Sequence, residues 1–128
     1  MATREKLKAE QRKQARAERG PSATLKGLSM SPRKTRLVID LIRGRDVESA
    51  LNVLTFSRKA AAEPISKLLK SAVANADLRG GFDLDKLYVK TAFVNEGTTM
   101  RRYRPRAQGR ATRVRKRTSH VTVELAER

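Results

Sequence analysis

The chain has 128 residues, 30 of them lysine or arginine and 13 aspartate or glutamate, which gives a formal net charge of +17. This length suits a single domain, and the repulsion among so many cations predicts a polyanionic partner, usually a nucleic acid. The chain contains no cysteine, which excludes disulfides and thiolate metal sites. It has no apolar run that could span a bilayer, no basic amphipathic segment suited to a membrane surface, and no apolar centre of a signal peptide near its start.

Residues 1–22 differ in composition from the rest of the chain. Lysine, arginine, glutamate, glutamine and alanine dominate up to Arg19, and Met1 and Leu7 alone are large and apolar, so no face exists that could pack on a core. Two interpretations stay open: a solvated, transiently helical tail, or a basic extension that becomes helical on RNA. Gly20-Pro21-Ser22 then predicts the boundary of a single folded domain over residues 23–128.

A short strand and a helix open the predicted domain. The mild alternation of residues 23–28 indicates the strand. Ser31 is expected to cap the helix, Pro32 to occupy its first position and Gly44 to end it. Helical spacing predicts one apolar face, formed by Leu37, Val38, Leu41 and Ile42.

Three cations at the start of this helix conflict with its electrostatics. Arg33, Lys34 and Arg36 lie at the positive end of the helix dipole, where cations are disfavoured. An external anion would relieve the conflict, so we expect these side chains to contact one.

Two further helices are predicted after Gly44. Asp46 is expected to cap the first, whose apolar positions are Val47, Ala50, Leu51 and Leu54. The second runs from about residue 59 or 60 to Asp77, with Pro64 in its first turn, and Gly80-Gly81 ends it.

The hydrophobic period then changes to two, which predicts strands. Residues 85–94 place four side chains on one face: Leu87, Val89, Thr91 and Phe93. Residues 118–125 direct three side chains inwards: Val121, Val123 and Leu125. With the first strand, these elements predict an α+β fold in which three helices pack on a small three-stranded antiparallel sheet.

The segment between the two later strands, about residues 95–118, is predicted to form a long protruding hairpin. No acidic residue occurs between Glu96 and Glu124, and the interval carries nine cations: Arg101, Arg102, Arg104, Arg106, Arg110, Arg113, Arg115, Lys116 and Arg117. The turn is expected between Pro105 and Gly109. Arginine binds phosphate in two-point contacts and stacks on bases, and Met100 and Tyr103 add apolar surface between the cations. We therefore expect this hairpin to bind nucleic acid.

Catalysis and metal binding find little support. His120 is the single histidine and is assigned a structural or phosphate-contact role, and the Asp83-x-Asp85 pair lacks further ligands. Gly80-Gly81 precedes a strand and not a phosphate-binding helix. We predict no enzyme, no cofactor and no metal. Charge alone does not separate RNA from DNA, so a DNA-architectural protein with a basic β-arm stays open as the alternative.

Several segments together resemble the bacterial form of the large-subunit ribosomal protein number twenty-two family. The helical segments that carry the resemblance are SPRKTRLV at residues 31–38, DLIRG at 40–44, VESAL at 47–51 and AVANA at 72–76. The hairpin and closing strand contribute NEG at 95–97, MRR at 100–102, PRAQGRA at 105–111 and KRTSHVTV at 116–123. The resemblance covers residues 23–125, whereas residues 1–22 depart from the shorter members of the family.

The resemblance implies a non-enzymatic constituent of the large ribosomal subunit in the cytoplasm. It implies contacts with several domains of the large-subunit RNA and with neighbouring ribosomal proteins, and a part in subunit assembly. RNA binding is expected from Arg33, Lys34 and Arg36, from the nine hairpin cations and from His120.

The resemblance also implies that the hairpin tip lines the nascent-peptide exit tunnel and meets the growing polypeptide. Tunnel-lining residues are expected to be Met100, Arg101, Arg102, Pro105, Arg106, Gln108, Gly109 and Arg110. Among them, residues 100–102 correspond to the region where changes in the family alter the response to macrolides.

Overall fold

The computed structural model describes residues 3–17 and 19–128. In chain order, one helix and one strand are followed by three helices and then by two long strands. The helices are α1 (Arg4–Ala17), α2 (Pro32–Ile42), α3 (Val47–Phe56) and α4 (Ala62–Arg79), and a short 3₁₀ turn covers Leu84–Lys86. The strands are β1 (Ser22–Leu28), β2 (Leu87–Pro105) and β3 (Ala111–Glu127). The predicted α+β class is confirmed, with α1 as a helix beyond the three expected. The side chains from Thr3 to Ala15 are exposed, so α1 stands apart from the core.

The three strands form one antiparallel sheet in the order β1-β3-β2. The predicted three-stranded sheet is therefore confirmed, and β3 lies at its centre. Val121, Val123 and Leu125 of β3 are fully buried, as their alternation predicted. Helix α4 packs on this sheet through a small-residue face that includes Ala72 and Ala76, both buried.

The buried face of α2 differs from the predicted one. Of the four residues of the predicted apolar face, Val38 and Ile42 are buried, whereas Leu37 is 57% exposed and Leu41 is 42% exposed, so the predicted face does not coincide with the buried one. The core face comprises Thr35, Val38, Ile39 and Ile42. Thr35 can be buried there because its hydroxyl donates to the carbonyl oxygen of Ser31 (3.1 Å) and shares a buried hydrogen bond with Ser119 Oγ (3.3 Å). A hydrogen-bonded threonine thus belongs to the buried face, which the pattern of apolar residues alone did not include.

A β-bulge alters the inward face of β2. Val89 pairs with Leu125, but Thr91 pairs with the adjacent Glu124, so Lys90 is an extra residue on the β2 side. One inserted residue reverses the faces that follow it. Ala92 and Val94 are therefore buried with Leu87 and Val89, and Phe93, which simple alternation placed on the same face as Val89, is 41% exposed.

The outer edge of β2 is covered by polar groups from α2 and the turn after it. Arg43 donates from Nη2 and Nε to the carbonyl oxygen of Ala92 (2.8 and 3.1 Å), and Arg36 Nη2 donates to that of Val94 (3.1 Å). The Gly44 amide donates to the Val89 carbonyl (2.9 Å). These bonds satisfy acceptors that an edge strand would otherwise leave open.

The helix boundaries follow the predicted signals, but two predicted caps work differently. Ser31 and Asp46 occupy the N-cap positions of α2 and α3, yet neither side chain makes a capping hydrogen bond. Pro32 begins α2 as expected, and Pro64 lies in the first turn of α4. The first turn of α2 therefore retains amide donors that no side chain caps.

Candidate nucleic-acid interface

The distal parts of β2 and β3 form the predicted hairpin, called here the arm and defined as residues 99–117. The two strands pair continuously from Thr99 opposite Arg117 to Pro105 opposite Ala111. The turn lies where it was predicted: the Arg106 amide donates to the Arg110 carbonyl (2.7 Å), and Gln108 and Gly109 adopt φ values of 61° and 67°. Positive φ at two successive residues suits a tight turn ending in glycine.

Both faces of the arm carry cations. Directly paired residues of an antiparallel ladder share a face. One face carries Thr99, Arg101, Tyr103, Arg113, Arg115 and Arg117, and the other carries Met100, Arg102, Arg104, Thr112, Val114 and Lys116. Tyr103 is 66% exposed and Met100 is 46% exposed, so apolar surface lies among the cations on each face. The arm can thus meet phosphates and bases on both sides.

No arm cation forms a salt bridge within the described residues, although Glu96 shares a concavity with Arg101, Arg115 and Arg117 at the base of the arm. Four salt bridges occur among the described residues, and each lies outside the arm: Arg43–Asp40, Lys67–Glu63, Lys86–Asp83 and Arg128–Asp46. Arg101 also lies directly opposite Arg115, and like charges at such a position destabilise a hairpin. Binding of an external polyanion would therefore relieve the repulsion among the arm cations.

A groove at the base of the arm collects further cations. It has a volume of about 1120 Å³ and is bounded by the β1–α2 connection, the first turn of α2, the α3–α4 connection and the base of β3. We call it the basic groove; its cations are Arg33, Lys34, Lys59, Arg115, Lys116 and Arg117, and no acidic residue lines it. The uncapped first turn of α2 adds amide donors, which suit an anion.

The structure separates the three cations predicted at the start of α2. Arg33 and Lys34 line the basic groove, whereas Arg36 is bonded to the Val94 carbonyl. Lys59 was missed because it lies in a short connection, where a single lysine carries no signal of its spatial neighbours. Only the packing of α3 against α2 and α4 brings the connection that holds Lys59 to the groove.

His120 has a structural contact. The Gly27 amide of β1 donates to its Nδ1 atom (2.9 Å), so a neutral imidazole carries its proton on Nε2. The ring also lies close to Gly97, where an added Cβ would be 3.2 Å from Nε2. The structural role of His120 agrees with one half of its assignment, and its contact with phosphate stays a prediction.

The titratable groups of the described chain offer no constellation suited to catalysis. No group of three or more histidine, aspartate or glutamate residues lies together there. A hydrogen bond from Lys67 lowers the pKa of Glu63, and hydrogen bonds from Lys86 and then from the Asp85 amide lower the pKa of Asp83. Both are exposed surface ion pairs outside the basic groove. Among the described helices, none is long and apolar enough to cross a membrane.

The arm, the basic groove and the domain that supports them coincide with a known family. The family model described as "Ribosomal protein L22p/L17e" matches residues 23–126. The chain belongs to the ribosomal protein L22p/L17e family. The chain is 57% identical to the large ribosomal subunit protein uL22 of Citrifermentans bemidjiense over 107 residues, which cover 84% of this chain and 96% of the relative. It is 56% identical to that of Myxococcus xanthus over 108 residues, covering 83% and 95% of the two chains.

Membership of the L22p/L17e family confirms several expectations. The chain is a structural ribosomal protein and not an enzyme, and its place is on the ribosome in the cytoplasm. The matched region begins within β1 and extends through the arm to the end of β3. Helix α1 lies outside it, so α1 is an addition to the part that the family shares.

Proposed function

We propose that this protein is a constituent of the large ribosomal subunit that binds the large-subunit RNA through its arm and basic groove. The observation that carries the proposal is the set of arm cations, which have no salt-bridge partner among the described residues. RNA phosphates would neutralise them, and the family membership makes ribosomal RNA the polyanion at hand. The DNA-architectural alternative has no comparable support.

The mechanism follows from the geometry of the arm. Its arginine forks make paired hydrogen bonds to phosphate, and both faces carry them, so RNA surrounds the arm instead of lining one side. Folding RNA around a charged hairpin joins segments that are distant in the RNA sequence. This accounts for contacts with several RNA domains and for a part in assembly, both of which the family resemblance implies.

The tip of the arm is proposed to line the nascent-peptide exit tunnel. Every side chain from Arg101 to Arg110 is exposed, and the turn presents Gln108 and Gly109 farthest from the folded domain along the ladder. Met100, also expected to line the tunnel, lies at the base of the arm beside the basic groove. A tip that carries no core contacts is free to meet RNA on one side and a passing polypeptide on the other. Neighbouring ribosomal proteins would contact the folded domain.

Helix α1 is proposed as a second, accessory RNA contact. Arg4, Lys8 and Arg12 follow one another at intervals of four residues and so share one face of the helix. Like charges at this spacing destabilise an isolated helix. A polyanion alongside this face would remove the repulsion and hold residues 1–22 in place.

RNA binding is tested by co-sedimentation of the tagged chain with large ribosomal subunits at moderate salt, alongside retention on duplex DNA. We expect co-sedimentation with the subunit and weaker retention on DNA. With large-subunit RNA, the logarithm of the affinity should fall with the logarithm of salt by about 0.7 to 0.9 per phosphate contact. Preferential retention on duplex DNA would instead support the architectural alternative.

The position of the tip needs its own test. A photo-crosslinking residue replaces Gln108 in assembled ribosomes that hold a stalled nascent chain, and Thr24, which is exposed on β1, receives the same residue as the control. We expect crosslinks to the nascent chain from position 108 and none from position 24. Incorporation into the subunit without crosslinks from position 108 would leave RNA binding intact and reject the tunnel role.

A further inference from the structure

The basic groove has an apolar wall that phosphate binding alone does not explain. Leu37 from α2 and Met100 from β2 face this groove and are 57% and 46% exposed. Met30, Ala60 and Ala61 continue the apolar lining. Single exposed apolar residues are common on protein surfaces, but here several lie together inside one concavity that also holds six cations.

We propose that the basic groove binds an unstacked nucleotide of single-stranded RNA, with its phosphates on the cations and its base against Leu37 and Met100. The inference rests on the RNA-binding function proposed above and identifies the kind of RNA that this site takes. A nucleotide combines an anionic backbone with a flat, largely apolar base. The groove offers the matching pair of surfaces, and a double helix would keep its bases stacked away from the apolar wall.

The rest of the lining fits the same ligand. Arg33 provides a guanidinium plane on which a base stacks, and Ser29, Ser31 and Thr118 provide hydroxyls for the polar edge of a base. No carboxylate lines the groove to repel phosphate. A volume of about 1120 Å³ holds a nucleotide together with its flanking phosphates. Loops and bulges are where folded RNA exposes unstacked bases, so such a segment is the expected occupant.

The two exposed leucines of α2 supply a matched test. Leu37 faces the basic groove, whereas Leu41 lies one turn later and lines a different surface cleft, beside Phe56. The full chain carrying Leu37→Ser or Leu41→Ser is titrated against a fluorescent single strand of about 12 nucleotides and against the same strand annealed to its complement. Both substitutions remove a similar, partly exposed side chain, and circular dichroism checks that both variants fold.

We expect Leu37→Ser to weaken binding of the single strand by about fivefold and to leave binding of the duplex unchanged. Leu41→Ser should leave both affinities unchanged, and Met100→Ser, on the facing wall, should reproduce the effect of Leu37→Ser. Equal effects of the two leucine substitutions, or an equal decrease in affinity for duplex and single strand, would overturn the nucleotide site. Failure of the unsubstituted chain to bind either RNA would instead overturn the proposed RNA-binding function.

Discussion

Individual residues at the junction of the domain and the arm show how closely the fold constrains this protein. At the second bulge of β2, Gly97 and Thr98 lie between the pairs Glu96–Ser119 and Thr99–Arg117. Thr118 Oγ1 donates to the Thr98 carbonyl (2.7 Å). A Cβ at Gly97 would lie 2.5 Å from that hydroxyl oxygen, so glycine is required there by space and not by a left-handed backbone.

We expect Gly97→Ala to lower the free energy of unfolding by about 1–3 kcal/mol, because the new methyl group must displace Thr118 or the His120 ring. Chemical denaturation measures this change. In a Thr118→Ala background the hydroxyl is absent, and the cost of Gly97→Ala should be smaller. An equal cost in both backgrounds would show that the hydroxyl is not the obstacle.

The cations at the start of α2 separate into two roles. Arg36→Gln should lower the free energy of unfolding by about 1 kcal/mol, because it removes the hydrogen bond to the Val94 carbonyl at the sheet edge. Arg33→Gln should leave unfolding nearly unchanged and weaken RNA binding, because Arg33 lines the basic groove. Thermal denaturation and RNA titration of both variants decide this, and the reverse order of effects would contradict the assignment.

At the scale of elements, the same cations that destabilise the free arm are those expected to bind RNA. The strands of the arm pair well, but Arg101 faces Arg115 across the ladder and no salt-bridge partner is present among the described residues. The turn position and the charge of the arm were predictable, because they depend on local residue types. The exact pairing was not, because the bulge at Gly97 shifts the register and arises from contacts with β3.

Reversing the charge of Arg115 should change the stability of the arm and its affinity for RNA in opposite directions. In Arg115→Glu the cross-strand pair with Arg101 becomes attractive, which should stabilise the free arm by about 0.2–1 kcal/mol. The same change should weaken RNA binding by about tenfold at low salt, because one phosphate no longer has a cationic partner. Amide hydrogen exchange of residues 99–117 reports the first effect, and RNA titration reports the second. Arg115→Gln is the control: it removes the repulsion without adding an attraction, so it should stabilise the arm less than Arg115→Glu and also weaken RNA binding less.

At the scale of the whole molecule, most of the net charge of +17 serves surfaces outside the core. The buried residues of α2–α4 and the proximal sheet are almost all apolar, and the cations concentrate on the arm, the basic groove and α1. Added salt should therefore raise the free energy of unfolding of the free protein, because it screens the repulsion among the cations. The same salt should lower the affinity of the protein for RNA, because it competes with the cations for the phosphates.

Removal of residues 1–18 tests the independence of α1. The truncation keeps Arg19, whose carbonyl accepts a hydrogen bond from Arg79 (3.0 Å). Since the side chains of residues 3–15 are exposed, the free energy of unfolding should change by less than about 0.5 kcal/mol. The salt dependence of RNA affinity should become shallower by about 0.7 for each phosphate that α1 neutralises in the full chain. Replacing Arg4, Lys8 and Arg12 by glutamine in the full chain should have the same effect on RNA binding as the truncation. A large decrease in stability on truncation would instead show that α1 packs on the domain.

Features that depend on residue type and short spacing were predictable before the fold was known. These are the α+β class, the positions of most helices and strands, the turn after Pro105 and the cationic, acid-free arm. The tertiary structure decided which faces are buried, because a bulge at Lys90 and a buried Thr35–Ser119 hydrogen bond override simple periodicity. It also decided the basic groove. Arg33, Lys59 and Lys116 are distant in the chain, and only the packing of α2, the α3–α4 connection and β3 brings their charges together.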